Sequence, residues 1–384
     1  MHEAVGFDHL TNSAGRRRVL VRHLCRKMSR HKEVEPNNPA FPNGWFPLVE
    51  SDDVPAGQVV SVVALGQKWC VYRGETGRAY VLDAYCPHLG ADLSAGGHVV
   101  GDCVECPFHG WRFDGSDNGR CTLIPYAEKP PEAARASKRD SCEKNGFIFV
   151  WYHAEGEPPS WELPTLPDIE SGHWKFRGRT DHTVHCHIQE IPENGADIAH
   201  LPQVHSKSVF EGNTWLDSWR ALYVGRLVRH QWQPSWQADE EQPHKARIHL
   251  SQRMSVCGYT MPFSELEINI EQIGPATVFL ALESSFGRGM LLQNIVPEGP
   301  LCQRIIHRLY TEPKFRAAPA AFLVWSEAVM LERDIAIWNN KKFLKNPVLV
   351  REDKLIKKFR RWYAQFYSPN SPTLQDVRDK GLDW

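Results

Sequence analysis

Two short loops, Cys86-Pro87-His88 and, after 17 intervening residues, Cys106-Pro107-Phe108-His109, constrain this chain more than any other feature of it. Each offers one thiolate and one imidazole, spaced to reach a metal from a single tight turn. Zinc modules with two cysteines and two histidines group Cys with Cys and His with His. Here each loop is mixed, which fits a [2Fe–2S] cluster with two Cys on one iron and two His on the other. Neutral imidazole donates less charge than thiolate, so such a cluster has a potential of roughly −150 to +300 mV and serves as an electron relay. Pro87, Gly90, Pro107, Gly110 and Trp111 keep the loops tight and apolar, suited to aiming backbone N–H groups at cluster sulfurs.

The rest of the chain is an ordinary globular protein. With 384 residues, 42% hydrophobic and 24% charged, it can bury two cores, and two domains are expected. The balance of 45 basic and 46 acidic residues excludes a global pull toward nucleic acid. Ten cysteines, scattered apart from the cluster between Cys86 and Cys121, read as a reducing intracellular compartment with a metal site and not as a secreted disulfide framework. No apolar stretch is long enough to span a bilayer, and the first ten residues lack the regions of a secretory signal, so a mature start at Met1 is expected.

Residues 1–37 form a basic segment in which Arg16, Arg17, Arg18, Arg22, Arg26, Lys27 and Arg30 surround Leu20, Leu24 and Met28 at helical spacing; a solvated leader and a membrane-surface or partner-binding helix both suit it. Residues 38–155 hold β-rich runs at 59–64, 69–72, 80–84 and 146–151 between turn signals, which predicts a small antiparallel β domain. Pro158, Pro159, Pro164 and Pro167 mark the passage into a second domain over 156–384. There strand-like runs at 183–189, 246–250, 266–271 and 277–282 mix with helical patterns at 317–338 and 354–367, an α+β domain. Leu355, Phe359, Trp362, Tyr363 and Phe366 make an apolar stripe expected to pack in the core.

A second motif runs Glu190-Ile191-Pro192-Glu193-Asn194-Gly195-Ala196-Asp197-Ile198-Ala199-His200-Leu201-Pro202-Gln203-Val204-His205. His200 and His205 are near enough, on a helix and its end, to face one cation. Activation of oxygen at ferrous ion uses two imidazoles and one carboxylate on one face, with the other face open. On the strand before this motif, His182, His185 and His187 read as hydrogen-bonded walls of a pocket, a second metal being the alternative.

Residues 86–114 resemble the Rieske family. Respiratory members carry an extra cysteine in each loop, paired as a disulfide; Ala91 and Phe108 stand at those places here, so the segment looks like the oxygenase branch. Asn194, Asp197, His200 and His205 are similar to the mononuclear iron motif of that branch, the Rieske non-haem iron oxygenases. The resemblance implies an antiparallel β Rieske domain with a helix-grip-like α+β catalytic domain, a [2Fe–2S] cluster on Cys86, His88, Cys106 and His109, and Fe(2+) on His200, His205 and a late aspartate. The segment from Glu332 to Trp338 resembles that late helix, which makes Asp334 the expected third ligand; Glu327 and Glu332 compete, because helical periodicity does not choose among them. Asn194 and Asp197 are the implied catalytic residues: the carboxylate equivalent to Asp197 bridges the iron histidine to a cluster histidine of the neighbouring subunit in a homotrimer.

The chain has no dinucleotide-binding glycine fingerprint, so NAD(P)H is expected to act indirectly, through a separate ferredoxin-like protein or reductase. Residues 188–197 and 361–367 resemble the steroid-active members, the animal cholesterol 7-desaturases of the Neverland type and, further off, the bacterial 3-ketosteroid 9α-hydroxylases. The implied substrate is a sterol, the implied reaction desaturation at C7–C8, and steroid hydroxylation is the alternative. Neverland-type enzymes usually carry an amino-terminal membrane helix; here the basic segment stands in its place, and peripheral contact with the endoplasmic reticulum membrane is the matching expectation. A Rieske electron carrier would keep the first motif without needing the second.

Overall fold

The computed structural model describes residues 35–206, 209, 228–256, 259–260 and 266–379; the basic segment expected near residues 16–30 lies outside them. The first strands are short and turn-bounded, as their β-branched and aromatic runs predict. β1 (Gly44–Glu50) is buried along its whole length and pairs with β10 (Phe147–Tyr152), which in turn pairs with β9 (Ser141–Lys144). β2 (Val59–Ala64), β3 (Gln67–Arg73) and β4 (Ala79–Asp83) form a second antiparallel sheet. β5 (His98–Val100), β6 (Cys103–Glu105), β7 (Arg112–Asp114) and β8 (Arg120–Leu123) form a third, and the two cysteine–histidine loops flank it, one before β5 and one between β6 and β7. Gly119, at φ +66°, lies so close to the backbone that an added Cβ would sit 1.7 Å from the Ala136 carbonyl oxygen, so only glycine closes this turn.

After a short helix α1 (Pro167–Glu170) comes an eight-stranded sheet, ordered β11-β18-β17-β16-β15-β13-β12 with β14 paired to β13. Its strands are β11 (Lys175–Val184), β12 (Val228–Ala238), β13 (Lys245–Val256), β14 (Tyr259–Thr260), β15 (Leu266–Ile273), β16 (Thr277–Ser284), β17 (Gly287–Gly299) and β18 (Cys302–Thr311). The helices α2 (Glu190–Glu193) and α3 (His200–Val204) lie between β11 and β12, followed after the sheet by α4 (Ala317–Trp338), α5 (Lys354–Tyr363) and α6 (Leu374–Asp379). This is the expected α+β arrangement.

The strand expected over 183–189 ends at Val184. Side chains take over its ladder: His185 N–H donates to Asn339 Oδ1 at 2.8 Å and His187 N–H to Glu190 Oε2 at 2.9 Å. Val184 pairs with Gln303, one residue from the start of β18 at Cys302, so the partner strand runs out there and the N–H groups beyond need other acceptors. The apolar stripe near the carboxyl end packs as expected, with Phe359, Trp362, Tyr363 and Phe366 against Trp236 and Ile248.

One core joins the two regions: Phe46, Leu48 and Phe149 from the small sheet share it with Leu292, Ile295 and Ile305 of the large sheet and Leu331, Ile335 and Trp338 of α4. A separate cluster of Tyr72, Leu82, Leu93, Val104 and Phe113 supports Cys86 and Cys106 from below. α4 crosses the face of β11 and β18, and between the helix and the concave sheet is a cavity of about 720 Å³.

Candidate active site

The two cysteine loops close by the same hydrogen bonds. Cys86 N–H donates to Ala91 C=O at 2.8 Å and Gly90 N–H to Cys86 C=O at 2.9 Å; Cys106 N–H donates to Trp111 C=O at 2.8 Å and Gly110 N–H to Cys106 C=O at 3.0 Å. Gly90 and Gly110 turn each loop at φ +74° and +71°. Both sulfurs are buried and neither is in a disulfide. Burial pushes the Cys86 thiol up to about 11, opposed by a hydrogen bond from the His88 backbone, so without a cation the thiol stays protonated.

The imidazoles of His88 and His109 meet edge to face at 4.7 Å, and the indole of Trp111 stacks on His88 at 4.6 Å. His88 Nδ1 is buried without a hydrogen-bond partner. A desolvated imidazole nitrogen facing no protein group, beside two buried thiols, is what a cluster ligand looks like before the metal satisfies it. The donor set fits a mixed [2Fe–2S] centre.

In the second region α3 begins at His200 and ends before His205, and α4 brings Asp334 up to them. The ligand atoms of His200, His205 and Asp334 all lie within 4.8 Å of one another. His205 Nε2 is 3.1 Å from Asp334 Oδ1, and the two imidazoles cross at 81°. His200 Nδ1 donates to the Asp197 carbonyl, which fixes the tautomer and leaves the Nε2 lone pair for a cation; the Asp197 side chain accepts the His200 backbone N–H at 3.3 Å. Two imidazoles and one carboxylate converging at the rim of an apolar cavity suit ferrous ion.

The competing acids lie elsewhere. Glu332 is 3.4 Å from His182, and Glu327 lines the cavity two turns before Asp334, where burial raises its carboxyl despite the pull of His205. His187 Nε2 donates to the Pro39 carbonyl at 2.7 Å and its ring stacks on Phe343, while His185 faces Asn339; these histidines are hydrogen-bonded inside the protein, and none of His182, His185 and His187 is among the residues that line the cavity, contrary to the expected pocket wall. Asn194 lines the cavity beside the trio. Sequence reasoning missed the fork of Arg360 on Glu193, at 2.8 and 2.9 Å, which ties the iron motif to α5; an acid and a base 167 positions apart carry no local signal.

Comparison with known proteins agrees with this geometry. Residues 44–138 match the Rieske [2Fe–2S] domain and residues 150–367 the 3-ketosteroid 9α-hydroxylase C-terminal domain. The chain is 42% identical over 373 residues to the cholesterol 7-desaturase of Xenopus laevis, covering 96% of this chain and 80% of the relative. The chain belongs to the Rieske oxygenases, in the group of the cholesterol 7-desaturases. Drosophila melanogaster cholesterol 7-desaturase is 39% identical over 358 residues, with coverage of 93% and 82%. The oxygenase component of 3-ketosteroid-9-alpha-monooxygenase from Rhodococcus rhodochrous is more distant, at 31% over 360 residues, with 88% and 84% covered. The solved dicamba monooxygenase with 3,6-dichlorosalicylic acid shares the fold at TM-score 0.62 and 15% identity, over 88% of this chain and 98% of that one. As a Rieske oxygenase the chain is an enzyme that uses a [2Fe–2S] cluster, a mononuclear iron and electrons from a reductase or ferredoxin partner. Among the described residues no helix is long and apolar enough to cross a membrane.

Proposed function

We propose that this Rieske oxygenase desaturates cholesterol at C7–C8 to 7-dehydrocholesterol, using O₂ and electrons that start on NAD(P)H and arrive through its redox partner. The observation that carries this reading is the cavity of about 720 Å³, walled by Ile268, Ile270, Leu280, Leu291 and Leu309 and bordered at one end by His200, His205 and Asp334. That volume lies within the roughly 300–1,000 Å³ of small-molecule sites, and its aliphatic walls suit a rigid apolar sterol.

Cys86, His88, Cys106 and His109 are the proposed cluster ligands, and His200, His205 and Asp334 the proposed iron ligands; when bound, these metals supply single electrons and oxygen activation. The remaining work is the protein's own. Asp197 holds the His200 proton at Nδ1 through its carbonyl, and the aliphatic wall keeps water from the reacting carbons. Asp197 itself is half-buried, next to exposed Ile198. Around the cluster histidines Tyr85, Leu89, Phe108 and Tyr126 are all more than half exposed, an apolar rim suited to a protein interface. Both features support a homotrimer in which Asp197 links His200 to a cluster histidine of the next subunit. The division near residue 155 and contact of the 1–37 segment with the endoplasmic reticulum membrane complete the proposal; a bilayer-partitioning substrate favours the latter.

The test is cholesterol incubated with the iron-loaded enzyme, ferredoxin, reductase and NADPH. A product lighter by two hydrogens is expected. The match to the 3-ketosteroid 9α-hydroxylase domain favours hydroxylation as the second reading, and a product heavier by one oxygen would establish it in place of the first.

A further inference from the structure

The sheet that walls the cavity is mostly apolar along its rows. Cross-strand neighbours Ile270, Leu280, Leu291 and Leu309 form one row; the next runs Gln272, Val278, Gln293, His307 and Thr180 across five strands. Polar side chains in this wall need an account, because each costs desolvation unless it is partnered.

Most of them are fully used inside the protein. Gln272 accepts from Trp236 Nε1 at 3.0 Å and donates to the Pro192 carbonyl at 2.7 Å, so both ends of its amide are taken. Cavity-lining Ser284 and Ser326 bond to the Gly287 and Leu323 carbonyls. Gln293 is different. Its Oε1 accepts from His307 Nε2 at 2.9 Å, and His307 Nδ1 lies 3.2 Å from the Thr180 hydroxyl. Burial holds His307 neutral, its pKa lowered to about 3, so the ring carries one N–H. The chain therefore runs one way: Thr180 donates to His307, His307 donates to Gln293, and the Gln293 amide nitrogen, with no protein partner among the described residues, is left as a donor at the cavity wall.

This row lies at the metal end. Gln272 is bonded to Pro192 of the iron motif, and Asn194, in the same motif, lines the cavity with it. At the other end the lining includes Phe286 and Phe322, which are 58% and 41% exposed. In a sterol the carbons to be desaturated are one ring away from the carbon that bears the hydroxyl, and the aliphatic tail is at the opposite end. We propose that Gln293, held by His307 and Thr180, donates to the 3-hydroxyl oxygen of the sterol and so sets which carbons face His200, His205 and Asp334. Gln293 is thus a specificity-determining contact, and His307 and Thr180 are positioning residues. This inference rests on the sterol reading above and adds the orientation to it.

Equilibrium binding of labelled cholesterol and of its 3-deoxy analogue, cholest-5-ene, to the purified iron-loaded enzyme tests it. The wild-type enzyme is expected to prefer cholesterol by roughly tenfold, the worth of one hydrogen bond with a fixed donor. Gln293→Met should bind both ligands alike, at the level of the wild type with cholest-5-ene, whereas damage to the cavity would weaken both. Thr180→Val, which only loosens His307, should lose part of the preference. Equal affinities in the wild type, or a preference kept in Gln293→Met, would overturn the proposal whatever the enzyme's products. If the preference holds but cholesterol is not dehydrogenated, the anchor stands and the desaturase reading falls.

Discussion

His205 Nε2 and Asp334 Oδ1 are 3.1 Å apart, close enough for one cation to take a lone pair from each. Asp334→Ala removes the carboxylate while leaving α4 its best helix former. The expected protein has one iron fewer per chain by metal analysis, an unchanged cluster spectrum and no turnover; full iron content with turnover would remove Asp334 from the ligand set. Asp197 makes a different prediction. Its carbonyl orients His200, and an asparagine keeps both that carbonyl and a side-chain oxygen. Asp197→Asn should therefore retain both metal centres yet slow turnover by roughly 10–100-fold, the usual cost of altering a group that supports a metal ligand. Normal turnover in this variant would contradict the route between centres.

At the scale of elements, the iron motif is held in place by its backs and not by its ligands. α2 is tied to α5 by the Glu193–Arg360 fork and to the sheet by Gln272, and a Cβ at Gly195 would meet Ile248 Cδ1 at 2.6 Å and Gln272 Nε2 at 2.9 Å, so a side chain there must displace both ends. Gly195→Ala overpacks this contact. A destabilisation of about 1–3 kcal/mol is expected by denaturant titration, with weaker iron retention because α3 follows directly. If stability and iron content are both unchanged, the close packing of the motif on β13 and β15 is not what positions His200.

The whole molecule is joined by charge as well as by its shared core. Arg308 of β18 reaches the small sheet, 3.4 Å from Glu50 and 3.0 Å from Asp52, and Arg179 of β11 is 2.6 Å from Glu50. Glu50 is buried, and burial raises its pKa against the pull of both arginines. Arg308→Ala leaves that carboxyl with Arg179 as its remaining close arginine; a loss of about 1.5–3 kcal/mol, the worth of a charge-assisted hydrogen bond, is expected, read as a lower denaturant midpoint. Acid should also loosen the fold. His187 and His307 are buried and neutral, burial lowering their pKa values to about 4 and about 3 from the ordinary 6.5. Below about pH 6.5 the unfolded chain binds protons that the native state refuses, so stability falls with acidification toward pH 4 by up to about 1.4 kcal/mol per pH unit for each histidine, and is flat in this respect above neutrality. Melting curves taken from neutral pH down to about pH 5 should show this slope, and His187→Gln should reduce it.

Residues close together in sequence were legible from the start. The two Cys-x-His loops, the pair His200 and His205, the helix from Ala317 to Trp338 and the stripe from Phe359 to Phe366 each carry their meaning in local spacing, because a turn, a helix end or a helical face is built from neighbours. What depends on strands meeting across the sheet was not. Resemblance and not local spacing pointed to Asp334 over Glu327 and Glu332, and the lie of α4 against α3 is what brings Asp334 to His200 and His205, while the first hydrogen bond beyond β11 comes from Asn339, 154 positions away. Nothing local separates Gln293 from the adjacent Asn294 in its strand; only register sets it beside His307, which meets Thr180, and places it on the cavity wall. Local spacing determined which chemistry this chain can hold, and long-range pairing decided which side chains line its cavity, since register between distant strands is set by the packing of the whole sheet.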